Sequence, residues 1–172
     1  MKSIKLLAIF ILSVTMFACS NDDDGGNDGT AAAGTVTAKV DGTTVTSTSE
    51  LTVATLISYG SSNVLSIQGT NMEGKGYRIT INDVDGEGTF QLGGNSVNTN
   101  IASYVEGNAT DPLNSQMWTA PYDDDSINRG EVAISSFSET NVKGTFSFSC
   151  KNPNDDSVKT ITEGSFNVTI TQ

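Results

Sequence analysis

Apolar and polar residues alternate with a period of two along most of the chain from Thr35 onward. Such alternation predicts β-strands with one buried and one exposed face, and clusters of Gly, Asn, Asp and Ser separate the runs. The clearest run is YRITINDV, in which Tyr77, Ile79 and Ile81 share one face. Helical periodicity is absent after the N-terminal apolar segment. The pattern therefore predicts an all-β protein.

The same alternation predicts further strands, and each of them is recognised by one set of apolar residues. The sets are Leu51, Val53, Ile57 and Tyr59; Leu65 and Ile67; Ile101 and Val105; Val132 and Ile134; Phe146, Phe148 and Cys150; and Phe166, Val168 and Ile170. Asp41 and Gly42 follow the run TVTAKV and form a dipeptide typical of a two-residue hairpin turn. About nine short strands, with turn signals roughly every 8–12 residues, predict an antiparallel β-sandwich or a partly closed barrel.

A short motif of glycine, hydroxyl residue and phenylalanine recurs three times. Its copies are Gly88-Thr89-Phe90, Gly144-Thr145-Phe146 and Gly164-Ser165-Phe166. A glycine fits a turn exit or a bulge, where the backbone must bend, and the phenylalanine would then enter the core. We favour this structural interpretation over an internal repeat that builds repeated sites.

The N-terminus begins with a basic start and a short apolar run. Lys2 and Lys5 precede about a dozen apolar residues, Leu6 to Phe17. A run of this length is shorter than the roughly 20 residues that span a bilayer, and it has the proportions of a secretory signal. An ordinary signal peptide in which Cys19 is incidental is the less favoured interpretation.

The residues that end this run resemble the lipobox of bacterial lipoproteins. They are Met16-Phe17-Ala18-Cys19, and acidic residues follow from Asp22. In that family the cysteine thiol is joined to diacylglycerol, the signal is cut before it and the new amino terminus is acylated, so several acyl chains give a stable anchor. The resemblance implies lipidation of Cys19. The acidic residues resemble the export signal that sends Bacteroidetes-type lipoproteins to the outside of the outer membrane, although a solvated linker would look the same.

This interpretation divides the chain into three parts. Residues 1–18 are a signal peptide that is removed, residues 19–34 are the lipidated cysteine and a flexible acidic tether, and residues 35–172 are one β-sandwich domain. From Val36 to Ile170 the chain resembles a family of small all-β lipoproteins of unknown function found in Bacteroidetes. The resemblance rests on AKVDGTTV near the start and on the Gly-Thr-Phe and Thr-x-Gly-x-Phe elements near the end. It implies no catalytic or binding residues.

Charge and cysteine content narrow the possible partners. The chain has 9 basic and 20 acidic residues and a net charge of −11. So acidic a protein is a poor match for nucleic acid, which is bound through Lys and Arg. The partners that we expect are the membrane, through the lipid anchor, and a glycan or an envelope protein. With Cys19 lipidated, Cys150 has no partner in the chain and is expected to be a small buried residue.

The sequence offers little catalytic chemistry. It contains no histidine, which excludes the Ser-His-Asp triad and histidine-bearing zinc sites, and it lacks a nucleophile elbow, a phosphate-binding loop and a dinucleotide fingerprint. We therefore expect no enzymatic activity and no cofactor. A pair of carboxylates could still hydrolyse glycosides, and this is the least favoured alternative.

Two acidic loops are candidates for calcium, a cation that prefers oxygen ligands. NDVDGEG holds Asp83, Asp85 and Glu87, and YDDDSIN holds the better candidates, Asp123, Asp125 and Asn128. Neither loop has the twelve-residue pattern of an EF-hand. Asp-Gly also forms tight turns without a metal.

The segment QMWTAPYDDD is the best candidate for ligand binding. It combines aromatic side chains with acidic hydrogen-bond acceptors, as sugar sites do, in the least patterned part of the chain. The candidates are Trp118, Tyr122, Asp123, Asp124 and Asp125. The alternative for the tryptophan is a core position.

The same part of the chain and a later loop each contain a possible modification site. Ser126 and Ser157 lie in Asp-Ser-apolar triplets that resemble the acceptor of Bacteroidetes-type protein O-glycosylation. From the sequence as a whole we expect a surface-exposed lipoprotein of the outer membrane that acts as a non-enzymatic binding module. The alternative is a structural accessory of the cell envelope with no soluble ligand.

Overall fold

The protein folds as eleven β-strands and one short 3-10 turn, Ser49–Leu51, in a computed structural model that describes residues 30–94, 100–108, 111 and 114–171. The strands are β1 (Thr35–Val40), β2 (Thr43–Thr46), β3 (Thr52–Tyr59), β4 (Ser62–Thr70), β5 (Lys75–Asn82), β6 (Gly88–Gln91), β7 (Ile101–Glu106), β8 (Gln116–Ala120), β9 (Gly130–Phe137), β10 (Asn141–Lys151) and β11 (Val158–Thr171). The predicted all-β class is confirmed, with eleven strands in place of about nine. No helix among the described residues is long and apolar enough to cross a membrane.

Strand pairing builds two layers that are joined at two corners. One layer has the order β2-β1-β11-β10-β9-β6 and the other has the order β3-β4-β5-β7-β8. The end of β11 joins β3, where Ile170 lies opposite Ala54, and the end of β10 joins β8, where Lys151 lies opposite Thr119. The fold is thus sandwich-like with continuous pairing around it. The prediction of antiparallel pairing holds for every pair except β11 and β3, which are parallel.

The core lies between the two layers and is centred on aromatic rings. Tyr77 of β5 lies edge-on to Phe146 of β10, with 5.5 Å between the ring centroids. The Tyr77 hydroxyl donates to the carbonyl oxygens of Ala38 and Val45, each 3.1 Å away, and so satisfies its polar end inside the core. Burial raises the pKa of Tyr77 well above its usual value. Cys150 is fully buried, as predicted, and burial raises the pKa of its thiol to about 12.

Most of the predicted inward faces are correct. The sets in β4, β5, β9, β10 and β11 are buried: Leu65 and Ile67; Tyr77, Ile79 and Ile81; Val132 and Ile134; Phe146, Phe148 and Cys150; Phe166, Val168 and Ile170. Asp41 and Gly42 form the predicted turn between β1 and β2, with φ angles of 48° and 87°. Two positive φ angles are the signature of the hairpin turn that aspartate and glycine favour.

The predicted faces of β3 and β7 are wrong. In β3 the residue that enters the core is Ala54, whereas Val53, Ile57 and Tyr59 are 37%, 43% and 68% exposed. In β7 the core residues are Ala102 and Tyr104, and Ile101 is exposed. Both strands carry apolar residues on both faces, so their pattern does not fix which face packs.

The repeated glycine motif agrees with the prediction that its glycine lies at a bulge and its phenylalanine enters the core. Gly144 and Gly164 lie inside β10 and β11 beside shifts in strand register, Phe146 and Phe166 are buried, and the two motifs pair with each other in antiparallel register. Gly144 is opposite Phe166, and Gly164 is opposite Phe146. A Cβ on Gly144 would come within 2.5 Å of the Phe166 ring. Each glycine therefore makes room for the phenylalanine of the partner motif.

Residues just before β1 pack against the domain. Ala31 is buried, its carbonyl accepts a bond of 3.5 Å from the Asn167 side chain, and the Gly34 N–H donates to the Asn167 carbonyl at 2.7 Å. Packed contacts therefore extend into the residues assigned to the tether. Cys19, the signal peptide and the rest of the predicted tether lie outside the described residues.

Candidate functional site

A groove of about 390 Å³ opens at the corner where β8 and β10 end. It is lined by Thr119, Tyr122, Asp123, Lys151 and Asp156, together with the prolines Pro121 and Pro153. The lining combines one aromatic ring, two carboxylates, one ammonium and one hydroxyl. Tyr122 and Asp123 come from the segment singled out by the sequence.

Tyr122 is held in place by contacts on its ring and at its hydroxyl. The peptide bond between Ala120 and Pro121 is cis, which turns the chain directly after β8. The Tyr122 hydroxyl shares a hydrogen bond of 3.1 Å with the Ser149 hydroxyl. The guanidinium carbon of Arg129 lies 3.9 Å from the centre of the Tyr122 ring, and Nη2 donates to the Tyr122 carbonyl at 3.3 Å. A ring fixed in this way is preorganised for stacking.

Lys151 connects the two walls of the groove. Its Nζ lies 2.8 Å from Asp156 Oδ1 and 3.0 Å from Asp123 Oδ1. The carboxylates of Asp156 and Asp123 raise the pKa of Lys151 above its usual value, so this side chain is charged at neutral pH. Asp123 reaches this position with a φ of 61°, a left-handed conformation that aspartate tolerates. The lining therefore carries one positive and two negative charges.

The loop that carries Asp156 is fixed by a buried asparagine. Asn152 is fully buried, and its side-chain amide donates to Gln116 Oε1 at 2.7 Å. Its side-chain oxygen accepts from the backbone N–H of Asn154 at 2.9 Å, and its backbone N–H donates to the Ser157 carbonyl at 2.9 Å. These bonds close the turn between β10 and β11 and hold Asp156 beside Lys151.

Two turns of the same sequence, Asp-Asp-Ser, flank the groove. In each, the first aspartate accepts from the backbone N–H two residues later at 2.9 Å: Asp124 from Ser126, and Asp155 from Ser157. Hydrogen bonds from the serine side chain and then its backbone lower the pKa of both carboxyl groups. Ser126 is exposed, whereas Ser157 is half-buried and its hydroxyl also accepts from the Trp118 indole N–H at 2.8 Å.

Trp118 is a core residue and does not line the groove. It is only 6% exposed, and its ring centroid lies 5.9 Å from that of Tyr104. Lys159 Nζ, from β11 in the other layer, lies 4.5 Å from the centre of the Trp118 ring. Alternation along β8 explains this, because Trp118 and Ala120 point inward while Thr119 reaches the groove. The prediction of a sugar platform at Trp118 is therefore corrected. Asp124 and Asp125 are exposed and also lie outside the groove lining.

The structure gives the best calcium candidates other partners. Asp123 pairs with Lys151, and the Asn128 side chain donates to Gln91 and accepts from the backbone N–H of Gly130 at 2.9 Å. Within the described part of the chain, no three Asp, Glu, Cys or His side chains are grouped as a metal site. This holds for Asp83, Asp85 and Glu87 as well.

Three charged residues at the site were missed by sequence reasoning: Lys151, Asp156 and Arg129. Parity could have placed Lys151, because it follows the inward-facing Cys150 and so must point outward at the end of its strand. Asp156 and Arg129 lie in loops, and only the folded chain brings them beside Asp123 and Tyr122. Arg129 also has a buried Nε without a partner among the described residues.

A family model described as a domain of unknown function (DUF6252) matches residues 34–169. The chain belongs to this family. The match covers all the strands up to most of β11, and the whole lining of the groove lies inside the DUF6252 domain. No curated protein and no solved structure matches the chain. The function of this DUF6252 domain is therefore argued from its own groove.

Proposed function

We propose that the protein is a surface-exposed lipoprotein of the outer membrane whose domain is a non-enzymatic module that binds a neutral glycan in the groove at Tyr122. The observation that carries this proposal is the convergence of Tyr122, Asp123, Lys151 and Asp156 on one groove of about 390 Å³. This volume falls in the range of small-ligand sites, roughly 300–1,000 Å³.

The lining matches the chemistry of a sugar. A sugar ring has apolar C–H faces that pack on an aromatic ring, and hydroxyl groups that donate to carboxylates and accept from an ammonium. Tyr122 supplies the ring, Asp123 and Asp156 supply acceptors, and Lys151 supplies donors. The surplus of carboxylates in the lining, together with a net charge of −11 for the chain, disfavours acidic sugars.

Binding fits the groove better than hydrolysis does. Glycosidases place a pair of carboxylates on either side of the scissile bond, with room between them for a water or for the sugar carbon. Here the Lys151 ammonium lies between Asp123 and Asp156, in contact with both. A bound sugar can accept hydrogen bonds from this ammonium, which occupies the position between the two carboxylates where hydrolysis would need a water or the sugar carbon.

The residues just before β1 and the groove lie at opposite ends of the hairpin formed by β10 and β11. The residues that lead toward the anchor contact Asn167, which is paired with Lys143. Lys151 is eight residues further along β10, a distance of about 26 Å at 3.3 Å per residue. The chain therefore enters the described domain about 26 Å along this hairpin from Lys151, which supports an accessible groove in an anchored protein.

Calorimetric titration with neutral oligosaccharides, prepared from envelope and host polysaccharides, tests the binding proposal. We expect Tyr122→Ala to weaken binding by about tenfold, because the stacking surface is lost. Tyr59→Ala is the matched control, since Tyr59 is an exposed tyrosine on β3, remote from the groove lining. Equal binding by the wild type and Tyr122→Ala contradicts the proposed site. Absence of binding to every oligosaccharide favours the structural accessory instead.

The intact mass of the protein purified from its own envelope tests the anchor. The expected mass is that of a chain beginning at Cys19 with acyl chains attached. A chain that retains residues 1–18, or one that begins at an unmodified cysteine, contradicts the lipoprotein part of the proposal and leaves the groove to be tested separately.

A further inference from the structure

The hairpin of β3 and β4 is uncharged and unusually apolar on its outside. No Asp, Glu, Lys or Arg occurs from Leu51 to Met72, and this is the longest uncharged stretch in a chain whose net charge is −11. Of the nine large hydrophobic residues that are exposed in the described part of the chain, five lie in this stretch: Leu51, Val53, Ile57, Tyr59 and Met72. A concentration of exposed apolar residues at one place marks an interaction surface.

Three of these side chains form a strip along the outer face of β3. Val53, Ile57 and Tyr59 have the same parity, and they extend along the strand over about 20 Å. Ile57 lies opposite Val64 of β4, which widens the apolar surface at the middle of the strip. A strip that follows a strand is suited to a partner that is itself an extended strand.

Among the described residues, no strand pairs with the second half of the β3 backbone edge beside this strip. The ladder between β3 and β11 covers only Ala54 and Thr55 among the described residues. The Thr171 hydroxyl donates to the Ala54 carbonyl at 3.1 Å, which shows that the Ala54 carbonyl points to this edge. Backbone groups at every second residue of a strand point to the same side, so those of Leu56 and Ser58 also point to this edge.

We propose that a second copy of this chain docks here, with the β3 edges from Leu56 to Tyr59 pairing antiparallel across a two-fold axis. Antiparallel pairing of a strand with itself satisfies the same donors and acceptors in both copies, as a two-fold interface requires. It also brings the two strips of Ile57 and Tyr59 side by side.

Charge favours a copy of the same chain at this face. Two molecules of net charge −11 repel each other, and the hairpin from Leu51 to Met72 is where they can approach without placing carboxylates opposite one another. The edge also lacks the lysine, proline and bulge that usually protect an exposed strand from pairing. A membrane is a poorer match, because the strip lies along the strand instead of forming an apolar tip.

This inference does not depend on the glycan proposal. Strands β4, β5 and β7 separate β3 from β8 in the layer that reaches the groove. Both grooves of a dimer therefore remain accessible, and loss of the dimer is expected to leave the affinity of each single groove for a short oligosaccharide unchanged.

Sedimentation equilibrium of the full-length chain in a density-matched detergent tests the inference. We expect a concentration-dependent dimer for the wild type. Ile57→Lys places two like charges at the interface and should weaken the dimer by about tenfold or more. Val158→Lys is the matched control, because Val158 is an exposed apolar residue outside the hairpin, and it should dimerise as the wild type does.

A second variant probes the backbone edge without adding charge. Ser58→Pro removes an N–H donor from the open edge, and we expect the same loss of dimer while the circular dichroism spectrum stays that of the folded protein. If this variant does not fold, the measurement on Ile57→Lys alone tests the inference. A wild type that is monomeric at millimolar concentration, or a dimer that persists undiminished in Ile57→Lys, overturns the inference. Flotation of a monomeric wild type with neutral vesicles that is lost in Ile57→Lys would overturn it in favour of a lipid surface.

Discussion

At the scale of single residues, the Trp118 indole shows how a polar group is accommodated in an apolar core. Its N–H donates to the Ser157 hydroxyl, which is in turn held by Asp155 Oδ1 at 2.7 Å. The equivalent turn at Asp124 has an exposed serine and no tryptophan to satisfy. The same three-residue sequence thus supports the core in one place and only a loop in the other.

Replacing Ser157 should therefore cost more than replacing Ser126. Ser157→Ala leaves the buried Trp118 N–H unpaired, and we expect the free energy of unfolding to fall by about 1–3 kcal/mol. Ser126→Ala should change it by less than about 0.5 kcal/mol. Urea unfolding followed by tryptophan fluorescence measures both, and equal losses would show that the indole bond does not contribute.

The same turns predict how stability depends on acid. Their pKa values are held below the usual 3.8 in the folded protein, so the stability that Asp124 and Asp155 contribute is fully present above pH 3.8 and is lost as the pH falls through the lowered values. Lys151 has the opposite sign: its raised pKa contributes stability below 10.5 that is lost only at higher, alkaline pH. The titration of Lys151 itself therefore lies outside the acidic range.

We expect the double variant Asp124→Asn, Asp155→Asn to lose less stability than the wild type does as the pH is lowered. Asparagine keeps the oxygen acceptor but cannot be protonated in this range. Thermal melting followed by circular dichroism between about pH 2 and pH 6 measures the effect. If the melting temperatures of the two proteins fall in parallel as the pH is lowered, neither carboxyl group is linked to folding.

At the scale of elements, β10 and β11 are registered by exchange of glycine and phenylalanine. Gly144 receives Phe166, Gly164 receives Phe146, and the two rings stack with centroids 6.3 Å apart. The third copy of the motif, at Gly88, pairs with Ile134 of β9, and a Cβ there would make only ordinary contacts at 3.8 Å. One motif therefore serves two different packing situations.

This difference gives a matched pair of substitutions. Gly144→Ala would force a methyl group to 2.1 Å from the Ala133 carbonyl oxygen and into the Phe166 ring. We expect it to lower the free energy of unfolding by about 1–3 kcal/mol through overpacking. Gly88→Ala should change it by less than about 1 kcal/mol, because the added methyl group meets open space. Chemical unfolding measures the free energy of unfolding of both variants. Equal losses in the two variants would contradict the role of Gly144 in receiving the ring.

The sequence was sufficient where one face of a strand was clearly apolar. Tyr77, Ile79 and Ile81 fixed the orientation of β5, and the class of the fold followed from such strands. It failed in β3, where Ala54 and Leu56 compete with Val53 and Ile57, because both faces of this strand carry apolar residues. Tyr122 could be predicted as a candidate because it lies in a segment that combines aromatic and acidic residues. Its neighbours Arg129 and Lys151 are brought beside it by loop closure and strand register.

At the scale of the whole molecule, the two corners of the fold carry different surfaces. The corner of β8 and β10 holds the charged groove, and the corner of β11 and β3 exposes the uncharged edge. A dimer through β3 would present two grooves from one assembly, and two linked sites bind a repeating polymer more tightly than one site does. The surface thus suits a glycan chain better than a free monosaccharide.

The most direct test of this account is a map of backbone amide chemical shifts in the ¹⁵N-labelled protein during titration with neutral oligosaccharides. We predict that the largest shifts fall on Tyr122, Asp123, Lys151 and Asp156, with little change along β3 and at Trp118. Shifts that cluster elsewhere, or an unchanged spectrum at saturating concentrations of every oligosaccharide, would contradict the assignment of the groove as the binding site.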